Sequence, residues 1–237
     1  MSAMLASVAS LQEALLVQGC DVDIIDLKDP ARGALGALDL SLVTDIVEHI
    51  NGATTVSATI GDLPYRAELI EKVVRSTAAT GVDIIKIGAF GDAEDAAMLA
   101  FLARLQAQGL RIVLVIFAEI YNEQLDMHKL ARAGVSGLML DTMDKGSGSL
   151  RDKLADPVLQ GFVDRARELG LLSGLAGSLQ EQDIAPLLQL APDYLGFRGA
   201  LCCQGRRNNV LDLEATRRIR ARIPRIHAAK RETHAIL

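Results

Sequence analysis

Tryptophan is absent from this chain, and aromatic residues make up only 3% of its 237 positions. Aromatic platforms on which nucleotide bases stack are therefore scarce. A formal charge of −5 adds no reason to expect nucleic acid or an acidic membrane surface as a partner. Cysteine is nearly missing too: Cys20, Cys202 and Cys203 are too few and too badly spaced for a disulfide framework. No Cys/His cluster has the spacing of a zinc site, and a reducing cytoplasmic setting fits best. The N-terminus, MSAMLASVAS, lacks a basic segment and its apolar stretch is short, so neither a signal peptide nor a membrane span is expected. None of the four histidines falls at the end of a predicted strand. His49 and His128 belong to helical patterns, while His227 and His234 lie near the C-terminus, which argues against histidine acid–base chemistry and a histidine-ligated metal.

Hydrophobic residues, by contrast, fill half of the chain, enough for a sizeable core. Short apolar runs alternate with amphipathic segments throughout. The runs MLASVAS (4–10), VDIIDLK (22–28), TTVSATIG (54–61) and VDIIKIGAF (82–90) read as strands. So do RIVLVIFAE (111–119), GLMLDT (137–142), LLSGLAGS (171–178) and YLGFRGALC (194–202). Each is short and rich in branched residues, as strands covered on both faces should be. Helical patterns separate them at 10–19, 39–50, 65–81, 92–108, 122–133, 157–170, 178–191 and 211–223. Asp, Ser or Asn opens many of them and Gly closes many, in agreement with helix-end chemistry.

Eight repeated strand–helix units in one chain of this length predict a single closed (β/α)₈ barrel, the TIM-barrel class, with the doubly wound open sheet as the competing arrangement. No Pro/Ser-rich linker divides the chain. The expected division is a barrel domain over 1–223 and a C-terminal tail over 224–237. Seven Arg/Lys and no acid lie between Arg217 and Arg231, a run that reads as a solvated helix face plus tail.

Chemistry in such a barrel sits at the carboxyl ends of the strands. There the run DVDIIDLKDP places Asp26 and Lys28 on one face of strand 2, with Asp26 one layer below Lys28 and within ion-pair reach. Strand 4 carries Lys86 at a similar height, strand 6 ends in Asp141, and the loop that follows carries Lys145. Charge at the end of a buried strand costs free energy unless it is paired or used. Clustered, partly desolvated ammonium groups disfavour one another's charge. A neutral lysine amine attacks a carbonyl to form a Schiff base, charged lysines stabilise developing negative charge, and carboxylates move protons. The bland alternative makes Lys28 and Lys86 structural members of ion pairs that snorkel from the rim.

Strands 7 and 8 end in LAGS and FRGA, where small residues let backbone N–H groups approach an anion. Barrels of this type often hold phosphate at this place. Gly177, Ser178, Gly199 and Ala200 are the candidate cradle, with Arg198 adding charge if its side chain turns to the mouth. Ser57 and Thr59 share a face of strand 3 that can reach the mouth. Glu119 either pairs with a lysine or is an exposed loop acid, and GSGS (146–149) reads as a lid beside Lys145.

DIIDLKDP followed by GALGA, then SATIGDLPY, IIKIG, MLDTMDK, LAGS and FRGALC followed by RRNN, taken in this order, resemble the (5-formylfuran-3-yl)methyl phosphate synthase family over about residues 4–222. The family is also called 4-(hydroxymethyl)-2-furancarboxaldehyde-phosphate synthase. It serves methanofuran- and methylofuran-type cofactor biosynthesis in the one-carbon metabolism of methanogens and methylotrophs. The resemblance implies a barrel related to class I aldolases, a lyase that joins two molecules of glyceraldehyde 3-phosphate with loss of phosphate and water. It implies that Lys28 is the Schiff-base lysine and that Lys86 and Asp26 are its acid–base neighbours. Asp141 and Lys145 would assist proton transfer and departure of the leaving group. No metal and no organic cofactor is implied, and the partner is the small-molecule substrate rather than nucleic acid or membrane.

Two other readings stay open from the residues alone. One is another aldolase, isomerase or epimerase acting on a phosphosugar; the other is a barrel that binds a phosphorylated metabolite without turnover. A homo-oligomer is compatible with Ala- and Leu-rich helix faces such as AAMLAFLARL, although barrel packing already accounts for them.

Overall fold

The computed structural model describes residues 2–144 and 146–224; the expectations for Lys145 and for the tail beyond residue 224 lie outside the described residues. Eight parallel strands close into a barrel in simple chain order. They are β1 (Ala3–Val8), β2 (Ile24–Leu27), β3 (Thr55–Thr59), β4 (Ile84–Gly88), β5 (Ile112–Phe117), β6 (Gly137–Asp141), β7 (Leu172–Leu175) and β8 (Tyr194–Phe197). β8 pairs back onto β1, with Leu5 opposite Gly196. The open-sheet alternative is thereby excluded.

Around the barrel run α1 (Leu11–Gln18), α2 (Leu40–Ile50), α3 (Ala67–Ala78), α4 (Ala96–Ala107), α5 (Met127–Arg132), a short α6 (Leu150–Lys153), α7 (Asp156–Glu168), α8 (Glu181–Gln189) and α9 (Leu213–Arg222). α4 and α5 start well after the residues that periodicity alone predicts, at Ala96 rather than 92 and at Met127 rather than 122, and side-chain caps explain both. Asp92 accepts from the Glu94 N–H in an Asx turn, so α4 waits for Asp95, which accepts from the Met98 N–H. Asn122 likewise accepts from the Gln124 N–H, and Asp126 caps α5. Such local bonds compete with the first helical turn. α3 also starts late, at Ala67 rather than residue 65, because Arg66 keeps extended backbone and its N–H turns back to the Pro64 carbonyl at 2.7 Å.

Strand 8 is the clearest departure in length. It ends at Phe197, and Gly199–Leu201 and Cys203–Gly205 form 3₁₀ turns in place of continued strand. The Arg198 carbonyl accepts from the Leu201 N–H, which closes the first turn.

Two apolar layers make the core. Between sheet and helices lie residues such as Ile25, Leu27, Ile46, Phe101, Leu114 and Phe162. The Ala/Leu-rich α4 turns Met98, Phe101, Leu102 and Leu105 onto the barrel. Inside the barrel, Leu5, Ile24, Ile84, Val113, Met139 and Tyr194 fill the floor. Gly174 is required there by close approach: a Cβ would overlap the Tyr194 ring. All three cysteines are free, and burial pushes the Cys202 thiol up to about 11. Among the described residues, no helix is long and apolar enough to cross a membrane.

Candidate active site

Above that apolar floor the inward positions turn polar. The register puts Ser7 of β1 beside Asp26 of β2, and Asp26 beside Ser57 of β3. Both hydroxyls donate to the Asp26 carboxylate at 2.8 Å, one to each oxygen. The Lys86 ammonium reaches the same carboxylate at 2.7 Å from β4. Asp26 is 0% and Lys86 2% exposed, so the ion pair is fully desolvated. Three donors on one carboxylate are what makes such a pair tolerable in the interior.

This arrangement corrects one expectation. Asp26 pairs with Lys86 and not with Lys28. The reason is the direction of the side chains: Lys28 lies past the end of β2 and its stem turns towards β6, where Nζ meets the Asp141 carboxylate at 3.5 Å. Lys28 is 6% and Asp141 3% exposed. Asp141 in turn accepts from the Thr142 N–H at 2.8 Å. Of the five residues expected at the mouth, Lys28, Lys86, Asp26 and Asp141 are brought together. Lys28, Lys86 and Asp141, with Ser7, line one cavity of about 440 Å³, a size in the ordinary range for small-molecule sites.

The β7 and β8 ends line the same cavity through Gly177, Ser178 and Gly199. Gly177 has φ 105° and Ser178 φ 50°, a left-handed turn that a side chain at 177 would block by running into Thr142. Among the described residues, the N–H groups of Gly177, Gly199 and Ala200 donate to no protein acceptor. Those of Gly177 and Gly199, which line the cavity, are available to an anion, whereas Ala200 of the expected cradle is not among the lining residues.

Arg198 does not serve that cradle as expected. Its guanidinium turns to Glu13, with contacts of 2.5 and 3.2 Å, and to the carbonyls of Ser7, Arg207 and Asn209. Those bonds occupy all five of its N–H donors. The pair is a structural stitch, because Glu13 also accepts from the Ala9 and Leu211 N–H groups.

Several side chains escaped sequence reasoning or took another role. Ser7 carried no signal beyond being a small polar residue within an apolar run. Thr59 turns away from Asp26 and donates to the carbonyls of Leu27 and Gly36. Asp62 of the GDLPY motif accepts from the N–H groups of Ala34 and Leu35 at 2.7 and 2.6 Å, which holds the β2–α2 loop over the barrel. That loop inserts Ala34 and Leu35 beside Phe90 and Phe117, so β5 offers an apolar ring and contributes nothing to the cavity wall. Glu119 does pair with a lysine, Lys153 at 4.0 Å, and it also braces the loop after β6 by accepting from the Met143 and Asp144 N–H groups. Asp144 turns to its own loop, where the Gly146 N–H and the Ser147 hydroxyl hold its carboxyl below the usual range. The candidate lid is tied at its far end, where Ser149 and Asp152 form a capping box.

A sequence model of the 4-HFC-P synthase family matches residues 4–220. The chain belongs to the 4-HFC-P synthase family. A protein of Methylorubrum extorquens, named provisionally as a (5-formylfuran-3-yl)methyl phosphate synthase, is 46% identical over 88% of this chain and 86% of its own length. The (5-formylfuran-3-yl)methyl phosphate synthases of Methanococcus aeolicus and Methanocaldococcus jannaschii are each 35% identical. Those matches cover 86% and 87% of this chain, and 92% of each relative. Among solved structures, phosphoribosyl anthranilate isomerase from Thermus thermophilus superposes with a TM-score of 0.66 at 16% identity, covering 94% of this chain and 98% of that one. A 3-hexulose-6-phosphate synthase gives 0.61 at 19% identity, covering 93% and 100%. At such identities these two show the shared barrel alone. For this 4-HFC-P synthase family member, the specific resemblance rests on the sequence relatives.

Proposed function

We propose that this chain catalyses the (5-formylfuran-3-yl)methyl phosphate synthase reaction. Two molecules of glyceraldehyde 3-phosphate condense through a lysine Schiff base, with loss of phosphate and water, in furan-cofactor biosynthesis. One observation carries the reading: two buried lysines, each on its own carboxylate, open into a cavity whose far wall presents unused backbone N–H groups. A triose phosphate supplies a carbonyl for the first and a phosphate for the second.

Lys28 is the nucleophile. Its contact with Asp141, at 3.5 Å, is longer than the 2.7 Å contact that holds Lys86 to Asp26, and Lys28 is the more exposed of the two, 6% against 2%. The neutral amine adds to the carbonyl carbon; the carbinolamine then expels water, and Asp141 handles the protons of that step. Loss of a proton from the carbon next to the imine gives an enamine that expels phosphate from the third carbon. That carbon, now the nucleophilic end of an enol, bonds to the carbonyl carbon of the second triose after its isomerisation to the ketone form. Lys86 is placed to protonate the alkoxide formed, and Asp26 keeps its ammonium in position. Ring closure of the ketotriose hydroxyl onto the neighbouring carbonyl and loss of two waters yield the furan, and hydrolysis of the imine frees its formyl group and returns the Lys28 amine. Lys145 of the LDTMDK motif belongs to this machinery as an assistant in proton transfer and leaving-group departure.

The reading is tested by incubating the protein with glyceraldehyde 3-phosphate and analysing the products by mass spectrometry and near-ultraviolet absorbance. Borohydride added during turnover should fix an adduct on Lys28, and Lys28→Ala should lose both adduct and product. Wild-type turnover by Lys28→Ala would reject the Schiff base, and a triose or hexose product in place of a furan would place the protein among other phosphosugar enzymes.

A further inference from the structure

Arg198, Arg206 and Arg207 line the cavity from the region after β8; Arg206 is exposed, and the other two differ in how their donors are used. Arg198 is saturated, as described above. Arg207 crosses from the β8–α9 loop to the β2–α2 loop, where Nη2 donates to the Gly33 carbonyl at 2.9 Å. Among the described residues this is the only hydrogen bond its side chain makes, although a guanidinium carries five N–H donors. It is only partly exposed. Burial, followed by the charge of Arg198, disfavours its cationic form, while Asp141, Asp62 and Asp29 favour it from a distance. A half-buried cation with donors to spare, on the wall of a cavity, is arranged for an anionic ligand.

We propose that Arg207 is the anchor for a second phosphate group, distinct from the one held by the β7–β8 cradle. The inference rests on the reading that two phosphorylated trioses enter this cavity together. The cradle lies at the ends of β7 and β8. Arg207 reaches the β2 side of the mouth, the side from which Lys28 also projects. Each triose then has its own phosphate station, and their carbonyl ends are directed to the lysines between. The forked guanidinium binds two phosphate oxygens at once. The β2–α2 loop keeps it aimed, because the same Asp62 that grips Ala34 and Leu35 holds the Gly33 carbonyl in place. Asp62, Asp29 and Asp141 limit the gain, since they repel the same anion.

Inorganic phosphate is the probe. Calorimetric titration of the wild-type chain should show two phosphates per chain, and Arg207→Gln should bind one. In steady state, Arg207→Gln should raise the KM for glyceraldehyde 3-phosphate at least tenfold while kcat falls less than threefold. If the melting temperature of Arg207→Gln drops, Arg207→Lys carries the comparison: it keeps the charge without the fork and should retain the second phosphate more weakly. One phosphate on the wild type, or two equally tight phosphates on Arg207→Gln and Arg207→Lys, would overturn the proposal. Because the titration needs no turnover, its failure is separable from failure to make a furan.

Discussion

Asp26 shows how much depends on one side chain. Its carboxylate receives two hydroxyls and an ammonium without any contact with water. Removing it strands the Lys86 charge in the interior, and breaking a buried pair from one side costs about 3–5 kcal/mol. Asp26→Ala should therefore unfold at markedly lower urea concentration. Asp26→Ala combined with Lys86→Met removes both charges and should recover most of that loss, because an apolar replacement of a buried pair is often neutral. Neither variant should make product. Urea titrations followed by circular dichroism read the first effect, and furan absorbance reads the second. An Asp26→Ala protein as stable as wild type would mean that the pair is not desolvated as described.

At the scale of elements, the loops above the strands share the work of shaping the cavity. The β2–α2 loop covers the β3–β5 side of the mouth with Leu35, and Asp62 of the β3–α3 loop pins it. Glu119 does the same for the loop after β6. Asp62→Ala removes two charge-assisted bonds to backbone. Because Asp62 is itself exposed, the global cost should be small, about 1 kcal/mol. Locally the effect should be large: amide exchange at Ala34 and Leu35 should quicken by an order of magnitude or more, and turnover should fall as the mouth loosens. Unchanged exchange at those two amides would show that packing of Leu35, not Asp62, holds the loop. The motif GDLPY was visible in the sequence, but its reach to a loop on a neighbouring strand was not. A bond between residues 28 positions apart leaves no periodic trace.

The whole molecule is a ring, and its closure falls between β8 and β1. The Glu13–Arg198 pair stitches that seam, joining residues 185 positions apart with side chains only 12% and 9% exposed. Glu13→Ala leaves a largely buried guanidinium without its counter-charge and without the two hydrogen bonds it gives to Glu13. A loss of about 3 kcal/mol is expected, which for a chain of this size lowers the melting temperature by roughly 6–12 °C. Added salt should change the wild-type value little, because buried pairs are poorly screened. A melting temperature within 2 °C of wild type would show that the ladder between β8 and β1 closes the barrel without this pair.

The alternation of strands and helices, the single barrel and the strand-end positions of Lys28, Lys86, Asp26 and Asp141 were legible in the sequence. Period-2 and period-3.6 patterns are local, and a barrel of βα units places every strand end on the same side. Which carboxylate meets which lysine was decided only in three dimensions. Alternation sets the face and height of a side chain along its own strand, whereas the stagger between strands and the direction of a long flexible stem decide its partner. The same reason separates the two arginines. Sequence put Arg198 near the mouth and gave Arg207 no role, and only the folded chain turned Arg198 onto Glu13 and brought Arg207 to the cavity wall.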